Sequence, residues 1–568
     1  MDLLLAHSDD GSPILERNPD TSSAAREASR VHRRPPEGFL ADITADANDL
    51  ARQGWAVVVP QGAVGDRLED AIRPLIEARA TEQGREVLLL RVPPGMDAEQ
   101  ALRWKKDRYP ALHGEDEQRR PRYLLILGDL DQVSLETQQA LAADGLPGRV
   151  AFDDASAYAA YARKVLGWER APSRHERARA LLYTVHDGTR ATAEGHAKLI
   201  LPCLQRCVRK QREGPREFPA SMVEALGAPW PDPNELLELV EPRQPSVLLS
   251  LSHGLGPPRQ QRWTRAEARQ RQGAMSFGAE GALMPEDVAT APFLPGGLWI
   301  YFACFGAGTP SHSAYHHWVE MLTQHGMEGM GPMSAMLRGL DEGGGGFVSG
   351  LARAALANPN GPLALLGHLD LAWSYSYEEL RVRGDGGTHR ITGSNRSQNF
   401  FNLMRKMVAG ERVGAACLAL GRVIDDVSRE LNTHYDRCQQ RGGGTDNADS
   451  LTLGNLWMLR QDLLGYALLG DPAVRLPLSP TREAGAHPGT TEGEVARSVS
   501  SGAVHFGADK DELERWERAV LQVAREESPG VVAGESNIPR SALIEAERRY
   551  REAGREALAR FLDELMRG

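Results

Sequence analysis

Short, predominantly apolar runs recur along the chain, separated by amphipathic segments and turn residues. The runs lie at 56–59, 87–90, 123–127, 178–185, 246–252, 298–303, 363–367 and 466–469. Helical periodicity is found at about 68–78, 156–168, 192–211, 312–325, 348–357 and 396–409. Uninterrupted apolar strands that alternate with helices are typical of a parallel sheet covered on both faces. The pattern therefore predicts an α/β protein with a mostly parallel sheet.

Breaks in this pattern divide the chain into five segments. Residues 1–37 are polar, lack a sustained period and are predicted to form a flexible N-terminal arm. A smaller α/β subdomain is predicted at 38–170 and a second α/β domain at 175–478. Residues 479–505 are rich in Pro, Gly, Ser and Thr, which is typical of a linker. The charged, amphipathic pattern of 506–568 predicts a helical C-terminal extension.

The composition narrows the function classes. A chain of 568 residues accommodates three or four domains at roughly 150 residues each. With 41% hydrophobic and 25% charged residues, it resembles an ordinary globular protein. The net charge of −11 disfavours nucleic acid as a partner. No apolar stretch is long enough to predict a membrane span, so no membrane partner is expected.

The first ten residues and the cysteines bear on the compartment. MDLLLAHSDD has no basic residue before its short apolar run, so it does not predict a secretory signal, and we expect a cytoplasmic protein. The five cysteines are odd in number and irregularly spaced, which disfavours a disulfide framework.

Candidate chemistry lies at the ends of two predicted strands. The run 245–252 leads into His253 and Gly254, and the run 296–303 leads into Cys304. Carboxyl ends of neighbouring parallel strands meet at one edge of a sheet, so we expect the thiol and the imidazole to face each other there. A nearby imidazole makes a cysteine a strong nucleophile by taking its proton.

These segments resemble those of caspase-like cysteine peptidases. Ser252-His253-Gly254 and the stretch from Tyr301 to Pro310 resemble the catalytic segments, and their spacing of about 50 residues is that between the caspase histidine and cysteine. The stretches 365–373 and 468–476 are similar to the gingipain-like and CHAT-type bacterial branch, and the region before residue 170 resembles the smaller gingipain subdomain. The resemblance covers about 50–478 and implies a three-layer α/β/α caspase-like fold.

The resemblance also implies a mechanism, in which Cys304 is the nucleophile and His253 the general base and acid. The backbone N–H groups of Gly254 and Cys304 would form the oxyanion hole. No cofactor and no metal are expected. The implied function is selective intracellular cleavage of proteins or peptides by a cysteine endopeptidase of the EC 3.4.22 type, in an antiviral defence or cell-death pathway, with an activating protease or regulatory protein as a further partner.

The substrate residue preferred before the cleaved bond is predicted from the loop after the first strand of the second domain. Asp187 would select Arg or Lys there, whereas Arg190 would select Asp or Glu by bidentate pairing. Of these, we favour a basic residue before the cut.

Other functions remain open at this point. A non-catalytic caspase-like scaffold or regulatory protein would use its terminal segments and keep a vestigial pocket. A hydrolase or acyltransferase could use the same two side chains on a non-protein ester or amide. His312 and His316, one helical turn apart, could face a metal, but the sequence offers no further ligand cluster beside them.

Overall fold

The computed structural model describes most of the chain up to Ser479. The described residues are 2–15, 19, 46–109, 120–171, 175–226, 231–259, 262–327, 329–342, 345–385, 388–440 and 447–479. The predicted linker after Ser479 and the predicted extension at 506–568 lie outside them. None of the helices in these ranges is both long and apolar enough to cross a membrane.

The described strands are numbered along the chain. They are β1 Leu5–His7, β2 Trp55–Pro60, β3 Leu88–Val92, β4 Tyr123–Leu127, β5 Leu146–Val150, β6 Arg179–Thr184, β7 Met222–Leu226, β8 Ser246–Leu251, β9 His253–Gly256, β10 Met275–Ser276, β11 Ala282–Leu283, β12 Leu298–Phe302, β13 Gly308–Thr309, β14 Phe347–Val348, β15 Ala364–His368, β16 Glu378–Asp385, β17 Thr388–Asn395 and β18 Tyr466–Gly470.

The α-helices occupy most of the intervals between these strands. They span Leu50–Gln53, Ala63–Ala71, Arg73–Gln83, Ala98–Arg108, Leu135–Ala142, Ala155–Arg170, Arg190–Gly195, Leu201–Glu213, Pro233–Val240, Arg265–Arg271, Pro285–Thr290, His316–Gln324, Met330–Glu342, Gly350–Ala357, Gln398–Val408, Val413–Gln440 and Asn447–Leu464. A π-helical turn, His196–Ile200, joins two of them into one continuous run, which the sequence predicted as a single helix at 192–211.

One large sheet organises the fold. Its ten strands lie in the order β3-β2-β4-β5-β18-β15-β12-β8-β6-β7. Every neighbouring pair is parallel except β15 with β18, so the sheet has two parallel halves that run in opposite directions. The predicted α/β class with a mostly parallel sheet is confirmed, and both predicted strand series belong to this one sheet.

Burial explains why apolar runs became strands. Every residue of β2, β4, β6, β8, β12 and β15 is buried, because helices cover both faces of a parallel sheet and leave neither face to solvent. The large buried aromatic side chains Trp299, Tyr301 and Phe302 of β12 belong to the main core cluster. The site described below therefore rests on a well-packed strand.

The structure differs from the expected flexible arm over residues 2–15. Leu3, Leu4 and Leu5 are 3%, 0% and 0% exposed, and β1 pairs in parallel with β9. These contacts join residues about 250 positions apart in the sequence, so no local period reveals them. A three-residue strand gains its stability from such partners and not from its own propensity.

Candidate active site

His253 begins β9, directly after the buried strand β8. The chain passes from Leu251 through Ser252, whose N–H donates to the carbonyl of Phe302 at 3.2 Å, so β8 stays paired with β12 up to its end. β9 then pairs with β1 on one side and β10 on the other, in a four-stranded sheet of order β1-β9-β10-β11. The His253 side chain is fully buried at this branch point.

Cys304 follows β12 at a sharp turn. Phe305, the next residue, has φ +57°, a left-handed conformation that a non-glycine residue adopts only when its surroundings hold it there. Its N–H donates to the carbonyl of Asp370 at 2.9 Å, and the N–H of Ala307 donates to the carbonyl of His368 at 2.9 Å. The turn is thus tied to the loop after β15, and Cys304 is fully buried beneath it.

Gly254 lets the two strand ends approach each other. A Cβ atom added at Gly254 would lie 1.9 Å from the carbonyl oxygen of Cys304. No side chain fits in that gap. The glycine is therefore required by the close approach of the two backbones.

Replacing Gly254 by alanine is expected to separate these backbones and misplace their N–H donors. We expect the rate of acyl transfer at this site to fall roughly 10²–10³-fold, the cost of losing an oxyanion-hole donor in other enzymes. Steady-state kinetics measures the effect. Gly167→Ala is the matched control, because a Cβ at Gly167 meets nothing within 4 Å; activity retained by Gly254→Ala would refute the requirement.

Two backbone donors converge on one carbonyl oxygen beside the thiol. The N–H of Gly254 and the N–H of Cys304 both donate to the carbonyl oxygen of Leu4, at 2.9 Å and 3.1 Å. The Cys304 Sγ accepts a hydrogen bond from the N–H of Ala372 at 3.2 Å. Two N–H groups aimed at one oxygen beside a nucleophile form the donor arrangement that stabilises an oxyanion in acyl transfer.

A hydrogen-bonded relay of Thr189 and Asp187 holds the Nε2 edge of the His253 ring. The Nε2 atom lies 2.9 Å from Thr189 Oγ1 and 3.7 Å from Asp187 Oδ2. Asp187 Oδ1 accepts from the N–H of Thr189 at 3.0 Å, from its hydroxyl at 2.8 Å and from the hydroxyl of Thr192 at 2.6 Å. Gly188, with φ +78°, makes the turn between Asp187 and Thr189.

The relay determines which imidazole nitrogen is the base. A carboxylate only accepts hydrogen bonds, so the Thr189 hydroxyl proton points to Asp187 and its oxygen accepts from His253 Nε2–H. In neutral His253 the Nδ1 atom then carries the lone pair, and it is buried without a hydrogen-bond partner among the described residues. It is the ring nitrogen free to take a proton.

Burial keeps both reactive groups uncharged in this arrangement. Burial raises the pKa of the Cys304 thiol well above its ordinary value, against a smaller lowering by the N–H of Ala372. Burial lowers the pKa of His253 below its ordinary value, and the Asp187 carboxylate partly opposes that shift. Both shifts disfavour the charged form, as desolvation does. The described site thus holds a neutral thiol and a neutral imidazole at the ends of two paired strands.

The structure distributes the predicted site residues as follows. The backbones of His253, Gly254 and Cys304 come together at neighbouring strand ends, although the Cys304 thiol bonds to Ala372 and not to the imidazole. Asp187, expected in a specificity pocket, is buried against His253. Arg190 is largely exposed, with its Nε 3.5 Å from a carboxylate oxygen of Asp2.

Sequence reasoning missed some of the site. The contacts of Thr189 and Asp187 with His253 were not predicted. Both residues follow a predicted strand at its carboxyl end, where site residues of parallel sheets are found. The whole contribution of residues 2–7 was missed. The rings of His312 and His316 stack 5.2 Å apart, but no group of three or more His, Cys, Asp or Glu side chains suited to a metal lies in the described part of the chain.

Comparison with known proteins gives structural matches only. No protein-family model and no curated protein matches the sequence. The Arg-specific cysteine proteinase gingipain R matches over 75% of this chain and 78% of its own, with 10% identity and a TM-score of 0.42. A structure described as a protease matches over 78% and 83%, with 14% identity and a TM-score of 0.42. The complex of the pro- and mature domains of Porphyromonas gingivalis RgpB matches over 74% and 80%, with 11% identity and a TM-score of 0.41.

Proposed function

We propose that this chain is a cysteine endopeptidase that uses a Cys304–His253 dyad. One observation carries the proposal: a peptide carbonyl, that of Leu4, accepts hydrogen bonds from the N–H groups of both Gly254 and Cys304. A peptide bond is held where its oxygen would become an oxyanion, at the two strand ends that carry the Cys304 thiol and the His253 imidazole. Ester or amide chemistry on a non-protein substrate would not require an extended strand in this position.

The chemistry follows from these positions. His253 Nδ1 takes the proton of the Cys304 thiol as Sγ attacks the carbonyl carbon, and the two N–H donors stabilise the charge that develops on the oxygen. The C–N bond then breaks as His253 gives its proton to the leaving amine. Water, deprotonated by the same imidazole, hydrolyses the thioester and restores the thiol.

Asp187 serves as a positioning residue in this scheme. Through Thr189 it fixes the ring with Nδ1 unprotonated, and its charge favours the imidazolium that forms when the thiol is deprotonated. Its Oδ2 has no hydrogen-bond partner among the described residues and lies 3.7 Å from His253 Nε2, so a small shift would let it accept that N–H directly. The polar relay explains why a carboxylate is buried here.

Asp187→Asn is expected to lower kcat/KM about 10- to 100-fold, the range found for carboxylates that orient a metal-bound histidine through a hydrogen bond. Because the carboxylate raises the pKa of His253, its loss lowers that pKa, and the acid limb of the pH profile moves to lower pH. A pH series of kcat/KM measures both effects. Asp144→Asn removes a carboxylate that pairs with Lys105 elsewhere in the fold and should move neither; an unshifted acid limb in Asp187→Asn would exclude the positioning role.

The biological setting is proposed from the resemblance to the CHAT-type branch. We propose selective cleavage of a few intracellular protein targets, in a defence or cell-death pathway, with an activating protease or regulatory protein. Mapping new protein N-termini in cells that express the chain or its Cys304→Ala variant tests the selectivity. A small, Cys304-dependent set is expected, and a broad set without sequence preference would contradict it.

A further inference from the structure

Residues 3–7 run as an extended segment past the backbones of Gly254 and Cys304. Before Leu4 the strand runs antiparallel to the loop after β15: Leu3 pairs with Trp373, and the N–H of Leu4 donates to the carbonyl of Ala372 at 3.4 Å. After Leu4 it runs parallel to β9, with Leu5 opposite Gly254. The chain therefore contacts both sides of the nucleophile, as a peptide substrate does when it adds a strand to a sheet.

Both backbone groups of Leu4 are thereby fixed. Its N–H is held by Ala372 and its oxygen by Gly254 and Cys304. Ala372 is also the residue whose N–H donates to Cys304 Sγ. The same short stretch thus aligns the peptide and the thiol. In this geometry the bond presented to Cys304 is Leu4–Leu5.

We propose that residues 2–7 are a substrate-like ligand of this chain's own active site, which covers Cys304 and shows that the preferred residue before the cleaved bond is leucine. The inference rests on the proposed function and adds to it a substrate class and a form of regulation. Substrates would be extended peptides with an apolar side chain at that position.

Leucine is favoured because of where the charged candidates lie. The Leu4 side chain is completely buried within the main core cluster, an environment in which an unpaired guanidinium or ammonium group is costly. Asp187 is held by Thr189, Thr192 and His253. The Asp2 carboxylate, two residues before Leu4, is the group that faces Arg190. The basic preference expected from the sequence is therefore replaced by an apolar one.

A hairpin explains why this segment would inhibit and not be consumed. The N–H of His7 donates to the carbonyl of Ser12 at 2.8 Å, and the N–H of Ile14 donates to the carbonyl of Leu5 at 3.0 Å. If Cys304 attacked the Leu4 carbonyl, the leaving amine of Leu5 would stay anchored beside the thioester. An amine held in place acts at a high effective concentration, so resynthesis of the bond competes with hydrolysis.

Gly11 lets this hairpin pack closely against the backbone of Gly278. It has φ +66°, and a Cβ added there would lie 2.2 Å from the carbonyl oxygen of Gly278. A Cβ at Gly278 would in turn lie 3.0 Å from the Cβ of Asp187, so the hairpin rests against the element beside the His253 relay. A side chain at Gly11 should lift the hairpin without altering any catalytic group.

The cover is tested by alkylation of Cys304 with iodoacetamide, followed by peptide mapping of the full-length protein. Gly11→Val should raise the alkylation rate of Cys304 about tenfold or more, equivalent to about 1.4 kcal/mol of lost closure. Gly95→Val is the matched control, because Gly95 has the same backbone conformation, φ +65°, with open space around it. This readout needs no peptidase activity.

A second variant destabilises the binding of residues 2–7 directly. Leu4→Asp places a charge in the buried position and should raise the alkylation rate similarly, whereas Leu102→Asp, at a leucine that is 43% exposed, should not. Unchanged Cys304 alkylation in both Gly11→Val and Leu4→Asp would overturn the cover. Faster alkylation in both variants but in neither control would support it.

The preference for leucine is tested with acyloxymethyl ketones built on Asp-Leu-Leu and Asp-Leu-Arg, added to the Gly11→Val protein and read by intact mass. Faster labelling by the leucine reagent supports the inference. Faster labelling by the arginine reagent overturns the substrate class while the endopeptidase stands. Faster alkylation by iodoacetamide with no labelling by either ketone would count against the endopeptidase and the substrate class, and would leave only an N-terminal cover on a buried thiol.

Discussion

Replacing Cys304 by alanine is expected to reduce peptide hydrolysis at least about 10⁴-fold, to the level supported by binding and the oxyanion donors alone. The substitution removes the nucleophilic sulfur and leaves the backbone unchanged. Gly254 and Cys304 contribute backbone N–H groups to the oxyanion hole, and alanine keeps the second of them. The loss therefore falls on kcat, while substrate binding persists.

The measurement is kcat and KM on a leucine-containing peptide, made in both the natural chain and the Gly11→Val background so that the N-terminal strand does not mask the effect. Cys417→Ala is the matched control, because Cys417 is another unpaired cysteine, on the helix Val413–Gln440, away from the strand ends. Activity retained in Cys304→Ala would place the nucleophile elsewhere.

Replacing His253 by glutamine is expected to lower kcat/KM about 10³-fold or more, because in the proposed mechanism His253 takes the thiol proton and returns one to the leaving amine. Burial raises the pKa of Cys304, so without the imidazole the thiol stays protonated up to alkaline pH. The residual activity should therefore rise steadily with pH and lose the acid limb that His253 causes.

A pH series of kcat/KM, together with the rate of Cys304 alkylation in the Gly11→Val background, separates this effect from a structural one. His325→Gln is the control, since His325 is exposed at the end of a helix, where its Nδ1 contacts the carbonyl of Met321. An unaltered pH profile in His253→Gln would exclude this histidine as the base.

The strand ends could be predicted because their signal is local. Residues 247–249 and 298–302 are short apolar runs, which are typical of strands buried on both faces. Parallel neighbours present their carboxyl ends together, so His253 and Cys304 were expected at one edge if their strands are neighbours. That the strands are neighbours is shown only by the pairing of β8 with β12 in the structure.

The N-terminal strand could not be predicted in the same way. Leu3, Leu4 and Leu5 form an apolar run too short to show a period, and it is followed by polar residues typical of a flexible segment. Their partners, Trp373 and β9, lie more than 240 positions away. Pairing at that distance is decided by the assembled sheet edge, which exists only once the core has formed.

The role of Asp187 was obscured by competing local explanations. Asp-Gly is a common turn dipeptide, and a charged residue near a cleft suits a specificity pocket equally well. Only the assembled fold shows the carboxylate buried beneath Thr189 and His253. Arg190 lies only three residues later, at the start of the next helix, yet its side chain is largely exposed. Closeness in sequence therefore did not show which of the two charged residues is buried at the site.

The most direct test of the dyad is covalent labelling of the Gly11→Val protein with the leucine acyloxymethyl ketone, read by intact mass and peptide mapping. We predict one adduct per chain, on Cys304, absent in Cys304→Ala and formed at least about tenfold more slowly in His253→Gln. An adduct that persists in Cys304→Ala, or no adduct on a protein whose Cys304 iodoacetamide reaches readily, would contradict it.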